Sequence, residues 1–283
     1  MNNSNSKKVA LVTGATSGIG RAAAITLAEQ GYKLYLLARN NEKAKATASW
    51  IEDRVESADI SWLIGDMGVL SDVRKVAADF LATGEPLNLL FNNAGVTYGD
   101  RRVTVDGFEA MFAINHLAPF LLSNLLLDKL KNSGNARIVG TSSGAHEFVK
   151  ALNIEDLQAE GEFSFMKVYG NSKLSNILFT RELAKRLEGS DVTVNCFHPG
   201  FVATNLGGDK WFGRLFMAIA KPFVRSPDKG AETGLFLAMD SSIEGKTGEY
   251  YVNCKIDKTK AHAKDMEMAA RLWKVSEQLT GLG

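Results

Sequence analysis

Tyr169 and Lys173 stand four residues apart, so on a helix the phenol and the ammonium share one face. Such a pair on its own is a common surface coincidence. It gains weight from Asn115 and the adjacent hydroxyls Ser142 and Ser143, which complete a set of groups able to pass protons to and from a bound oxygen. A second set opens the chain: Thr13-Gly14-Ala15-Thr16-Ser17-Gly18-Ile19-Gly20 follows an aliphatic run and precedes a helical pattern. Glycines there let the backbone turn tightly and approach a pyrophosphate, whose charge sits at the helix N-terminus. The same turn also serves plain strand-to-helix packing. Its place after the first strand of a βαβ unit favours the dinucleotide.

The second run ends Leu36-Leu37-Ala38-Arg39-Asn40. An acidic residue at this place would hold an adenosine ribose and select NAD. Ala38 offers no carboxylate, and Arg39 can meet a 2′-phosphate with its planar fork. The alternative is a solvated arginine at a helix start. NADP(H) is the expected cofactor, with NAD(H) as the second choice. Asn92-Asn93-Ala94-Gly95 ends the fourth run, at the carboxyl edge where open parallel sheets bind ligands. His116, His146 and His198 show no metal-ligand spacing, and no metal is expected.

These residues need a scaffold that brings distant segments to one edge. Short aliphatic runs at Val9–Thr13, Leu34–Ala38, Ile60–Ile64, Leu87–Asn92, Ala136–Thr141, Val192–His198 and Glu249–Asn253 alternate with helical patterns over Ile19–Gln30, Glu42–Glu56, Val69–Thr83 and Ser172–Leu187. This predicts an α/β fold of the Rossmann type: a doubly wound parallel sheet of about seven strands, its first six buried on both faces, with helices on either side. The 283 residues suffice for a large core, and no repeat, low-complexity block or linker divides them. The domain expectation is a flexible tail over 1–8 and a single dinucleotide-binding and catalytic domain over 9–283. Lys plus Arg number 33 against 32 Asp plus Glu, a net charge of +1 that lacks the basic field of a nucleic-acid binder. Two cysteines, Cys196 and Cys254, make no disulfide framework.

In order and approximate spacing, Thr13–Gly20, Asn92–Gly95, Asn115, Ser143, Tyr169/Lys173 and Pro199-Gly200 resemble the short-chain dehydrogenase/reductase family across nearly the whole chain. Within it, Ile114–Leu117, Ser142–His146, Asn171–Leu183, Phe197–Gly200 and Ala270–Trp273 look most like the retinol dehydrogenase and WW-domain oxidoreductase branch. The resemblance implies that Tyr169 is the general acid in carbonyl reduction and, ionised, the base in alcohol oxidation. Lys173 would favour the ionised phenol and hold the nicotinamide ribose. Ser143, the second of its pair, would orient the substrate oxygen, and Asn115 would hold a water linking Lys173 to solvent. Cofactor contacts implied are Gly14, Ser17, Gly18, Ile19, Gly20, Arg39, Asn40, Asp66, Met67, Asn93, Ala94, Gly95, Tyr169, Lys173, Pro199, Gly200, Val202 and Thr204.

The segment over 201–227 is the one the family uses to cover substrate. Trp211, Phe212, Leu215, Phe216, Met217, Ile219 and Phe223 are interleaved there with Lys210, Arg214, Lys221 and Arg225. It reads as a lid over a lipophilic carbonyl or alcohol, as peripheral contact with a membrane, or as a helix packing its aromatics inward. The stretch from His146 to Val168, with Phe148, Phe163, Phe165 and Met166, is expected to wall the substrate pocket. Membrane-resident members of this branch carry an apolar N-terminal anchor. None precedes the first strand, so the expectation is a cytoplasmic carbonyl reductase with no integral membrane segment. Two rivals stand beside it: a catalytically silent dinucleotide-binding regulator, and a sugar-nucleotide epimerase sharing the Tyr/Lys pair. The apolar Leu117–Leu130 stretch and the Ser172–Leu187 helix either meet a second copy in a homo-oligomer or are buried within one subunit.

Overall fold

Strand β1 (Val9–Thr13) is wholly buried, and its residues alternate between two cores: Val9 and Leu11 enter one, Ala10 and Val12 the other. Only a strand covered on both faces needs such a sequence. The computed structural model describes residues 7–200 and 225–282. Most of the tail expected over 1–8 and of the lid expected over 201–227, with Val202 and Thr204, lies outside them. The other strands are β2 (Lys33–Ala38), β3 (Asp59–Ile64), β4 (Leu89–Asn92), β5 (Arg137–Thr141), β6 (Thr193–His198), β7 (Tyr250–Val252) and β8 (Lys255–Ile256).

They form one sheet in the order β3-β2-β1-β4-β5-β6-β7-β8, parallel throughout except for the antiparallel β7–β8 pair. The expected doubly wound sheet of about seven strands is present, with eight strands among the described residues. The additional one has two residues and follows a turn in which Asn253 and Cys254 both take positive φ. One expectation is corrected. β3 is the sheet edge, so five of its six residues are only half-buried instead of covered on both sides.

On one face lie α1 (Gly18–Glu29), α2 (Asn41–Glu52) and, later in the chain, α8 (Pro227–Met239). On the other lie α3 (Leu70–Ala82), α5 (Ala118–Leu125), α6 (Leu127–Lys131), α7 (Phe165–Arg186) and α9 (Met266–Thr280). A short turn, α4 (Ala110–Phe112), enters α5 through a π-helical segment, Ala113–Leu117. Both apolar surfaces singled out in the sequence are covered within the subunit. Leu117, Phe120, Leu121, Leu122, Leu126 and Leu130 are buried, and Trp273 of α9 packs edge-on to Phe120 at 4.9 Å and stacks on Phe179 of α7 at 5.9 Å. Among the described residues no helix is long and apolar enough to cross a membrane.

Candidate active site

The strand order reverses between β1 and β4, and the crevice that such a reversal opens is where ligands enter this architecture. Two turns meet there. Thr13, the last residue of β1, accepts the Asn93 and Ala94 N–H groups on its Oγ1, each at 2.9 Å. Asn93 returns its amide to the Thr13 and Gly14 carbonyls at 3.2 and 3.4 Å. The glycines are demanded by this closeness. A Cβ on Gly20 would lie 2.3 Å from the Gly14 carbonyl oxygen, and Gly14 has φ +65° with Ala94 Cα 2.9 Å from where its Cβ would stand.

Helix α1 starts at Gly18 with Ser17 as N-cap, yet the Ser17 side chain makes no capping bond and no acidic residue occupies the first turn. Its first N–H groups are therefore left for an anion from outside the helix. The donor set fits the diphosphate of a dinucleotide. Ser17, Gly18 and Ile19 line a cleft of about 280 Å³ that continues past Arg39, Asp66 and Met67 at one end and past Ser143, Tyr169, Lys173 and Gly200 at the other.

Nearly all the residues singled out in the sequence border this cleft: Gly14, Asn93, Ala94, Gly95 and Pro199 join those just named. Three do not. Gly20 acts through packing. Asn40 caps α2, its Oδ1 accepting the Lys43 N–H at 2.9 Å. Asn115 is buried behind the cleft, where Oδ1 accepts from Val96 N at 2.8 Å and Nδ2 donates to Val96 O and to Ser172 Oγ, both at 3.0 Å. Its amide protons are thus spent tying the Gly95–Val96 turn to α7, and of the side chain only an acceptor lone pair of Oδ1 is left for a water. Residues that sequence reasoning passed over are Lys43, Tyr98 and Thr141, all on the cleft wall. Lys43 adds a second cation beside Arg39.

At the chemical end, α7 carries Tyr169 and Lys173 on one face, and Lys173 Nζ lies 5.6 Å from the centre of the Tyr169 ring. The helix starts seven residues before the expected Ser172, because Gly170 lets it pass against the Gly144–Phe148 turn. A Cβ there would sit 2.8 Å from the Ala145 carbonyl oxygen. Ser142 and Ser143 differ in what they have left to offer. Ser142 is buried and donates its hydroxyl to the Lys173 carbonyl at 2.8 Å. Ser143 lines the cleft, where its hydroxyl accepts from Ala145 N at 3.2 Å and meets the Tyr169 phenol. His146 holds the Ser143 carbonyl at 2.8 Å from its Nδ1.

Burial sets the acid–base properties here. It pushes the Tyr169 phenol up to about 12, with the Ser143 side chain pulling the other way. It brings the Lys173 ammonium down to about 8. Both shifts disfavour charge in a dry site. On the apolar side of the cleft Val96, Tyr98 and Tyr169 line the wall, and Phe163, Phe165 and Val168 pack with them, the Phe165 ring stacked on Tyr169 at 6.1 Å. Of the four residues expected to wall the pocket, Phe163 and Phe165 join this cluster. Phe148 and Met166 are exposed instead, at 51% and 44%.

The short chain dehydrogenase model matches residues 8–212, and the chain belongs to that family of oxidoreductases. It falls in the retinol dehydrogenase-like branch. It is 40% identical to human retinol dehydrogenase 12 over 277 residues, covering 97% of this chain and 87% of that protein. To mouse retinol dehydrogenase 14 it is 38% identical over 289 residues, covering 97% and 86%. Among solved structures it resembles an uncharacterized protein from Mycobacterium paratuberculosis, with a TM-score of 0.78 and 32% identity over 98% of this chain and 94% of that one. It also resembles the Pseudomonas aeruginosa RhlG/NADP active-site complex, with a TM-score of 0.70 and 25% identity over 86% and 93%.

Proposed function

We propose that the protein is an NADP(H)-dependent reductase and dehydrogenase that interconverts a lipophilic aldehyde or ketone with its alcohol, and that it works as a single catalytic domain. The observation that carries this is the single cleft bordered by Arg39 and Lys43 at one end and by Ser143, Tyr169 and Lys173 at the other. Two cations and no acidic residue at the end of β2 suit a 2′-phosphate. The aromatic and aliphatic wall around Tyr169 suits an apolar substrate. Retinol dehydrogenases among the relatives make a retinoid the first substrate to try.

The cofactor supplies the hydride. The protein's part is to hold the carbonyl and manage its proton. Ser143 donates a hydrogen bond to the substrate oxygen and orients it beneath Tyr169. Tyr169, protonated at neutral pH as any phenol is and held more firmly so by burial, gives its proton to that oxygen as charge develops. Lys173 rests on the Thr141 carbonyl at 3.3 Å and brings positive charge close to the phenol, which favours the tyrosinate left behind. In alcohol oxidation the same tyrosinate is the base. Asn115 fixes the Gly95 turn, where a Cβ on Gly95 would press on Asn115 Oδ1 at 3.2 Å.

The test is consumption of NADPH and NADH with aliphatic, aromatic, steroid and retinoid carbonyls. Tyr169→Phe is expected to lower kcat by about 10²-fold or more while NADPH still binds. Near-normal turnover in that variant would remove Tyr169 from the mechanism, and a folded protein that binds neither cofactor would overturn the reading.

A further inference from the structure

Behind the cleft, on the far side of Thr141, lies a second and much smaller cavity of about 20 Å³. Its wall includes Asn92 at the end of β4, Thr141 at the end of β5 and Asn176 on α7, one helical turn beyond Lys173. Asn92 and Asn176 are 7% and 8% exposed. Each has one satisfied and one unsatisfied end. Asn92 Nδ2 donates to Ser123 Oγ at 3.0 Å and Asn176 Nδ2 to the Thr141 carbonyl at 3.2 Å. Asn92 Oδ1, Asn176 Oδ1 and Thr141 Oγ1 have no hydrogen-bond partner among the described residues. The Asn176 amide cannot be turned round without losing the Thr141 carbonyl, which only accepts.

Two amide oxygens that accept and one hydroxyl that can donate are the complement of a single water, which has two protons to give and lone pairs to receive. The cavity exceeds the roughly 10–15 Å³ that one water centre requires. Leaving buried polar groups unpaired is costly, so the site favours occupation. The Thr141 carbonyl is shared: it accepts Asn176 Nδ2 on one side and Lys173 Nζ at 3.3 Å on the other.

We propose that this cavity binds one internal water held by Asn92, Thr141 and Asn176, and that Asn176 is a positioning residue that fixes the Thr141 carbonyl under Lys173. The water locks the Asn176 amide in the orientation that serves this carbonyl. The lysine therefore gets its place from the interior of the sheet as well as from the cleft. The water site stands on packing and hydrogen-bond inventory alone, and the positioning role rests on the function proposed for Tyr169 and Lys173. His116 supplies the competing arrangement: its Nδ1 neighbours the Asn176 side chain without completing a bond, and a shift there would use Asn176 Oδ1 in place of a water.

A crystal structure resolving ordered solvent is expected to show one water within hydrogen-bond distance of all three oxygens. A cavity without density, or His116 Nδ1 bonded to Asn176 Oδ1 in its stead, overturns the water site. Turnover tests the second half. Asn176→Leu is expected to lower kcat about tenfold, with the carbonyl substrate KM moving less than about twofold. Thr141→Val, which keeps side-chain volume and the backbone carbonyl, is expected to lower kcat a few-fold in the same manner. Unchanged kcat in both folded variants overturns the positioning role. Tyr169→Phe measured in parallel separates the two proposals: if it turns over normally, the reductase reading has failed, whatever the water site shows.

Discussion

Arg39 and Lys43 differ in how plainly they announce themselves. Arg39 follows an apolar strand directly, at a place where the neighbouring residue type decides between a ribose hydroxyl and a phosphate. Lys43 is four residues farther on, and it borders the cleft only because α2 begins at Asn41 and aims its first turn back toward the end of β2. No spacing in the sequence encodes that aim. Asn40, read from the family pattern as a contact, spends its amide on capping the same helix. Charge at this end is expected to set cofactor choice. Arg39→Asp should raise the NADPH KM by about 10- to 100-fold and leave the NADH KM within a few-fold, and Lys43→Ala should do the same more weakly. Steady-state titration with both cofactors checks this, and an unchanged NADPH/NADH ratio would take the pair out of the phosphate-binding role.

Within the π-helical segment Ala113–Leu117, two neighbours serve different parts of the molecule. Asn115 bonds Val96 and Ser172 beside the cleft, while His116 meets Ser276 Oγ of α9 at 2.8 Å. His116 is fully buried, and burial takes its pKa from 6.5 down to about 3. Between those values the unfolded chain binds a proton that the native one refuses, so stability falls as pH falls through this window. Acidification from pH 6.5 to pH 5 is expected to cost about 1.6 kcal/mol through this group alone. Urea melts of the parent and of His116→Gln at both pH values measure it. The variant should lose less on acidification, and equal losses would show that His116 is not held neutral.

The same scale explains what the sequence concealed. Strands announced themselves because buried parallel strands are continuous aliphatic runs, and the six parallel strands predicted as central all fall within two residues of their expected starts and ends. The segment that became α8 went unread because its buried side is Gly230, Ala231, Thr233, Gly234, Leu237 and Ala238, all but one of them small residues that look like a loop. Close packing selects them: a Cβ on Gly234 would stand 2.6 Å from Phe91 and 2.7 Å from Phe197. In α9 the buried positions include Ala269, Ser276 and Thr280, which dilute the apolar period. The site was legible where a motif is local, as at Gly14–Gly20 and Tyr169/Lys173. It was hidden where a role depends on which segments meet, as at Thr141.

For the molecule as a whole, α9 decides which surfaces are interior. It seals the faces of α5 and α7 that a second copy would otherwise have to cover, and Arg74 of α3 holds its end through the Thr280 and Gly281 carbonyls at 2.6 and 3.1 Å. Trp273, 5% exposed, sits between Phe120, Phe179 and the Arg186 guanidinium, which lies 4.1 Å from the ring centre. Trp273→Ala is expected to lower the unfolding free energy by about 3–5 kcal/mol. Because the contact is made within one chain, the loss should be the same when protein concentration is raised about tenfold; a midpoint that climbs with concentration would show a second subunit sharing this face. The end of the sheet at β8 bears on a different property. Two residues of antiparallel strand, carrying Lys255 beyond a turn with two left-handed residues, leave too little ladder for another chain to extend. An open sheet invites polymerisation through its free edges, and at this end the protein closes that route with the smallest strand among the described residues.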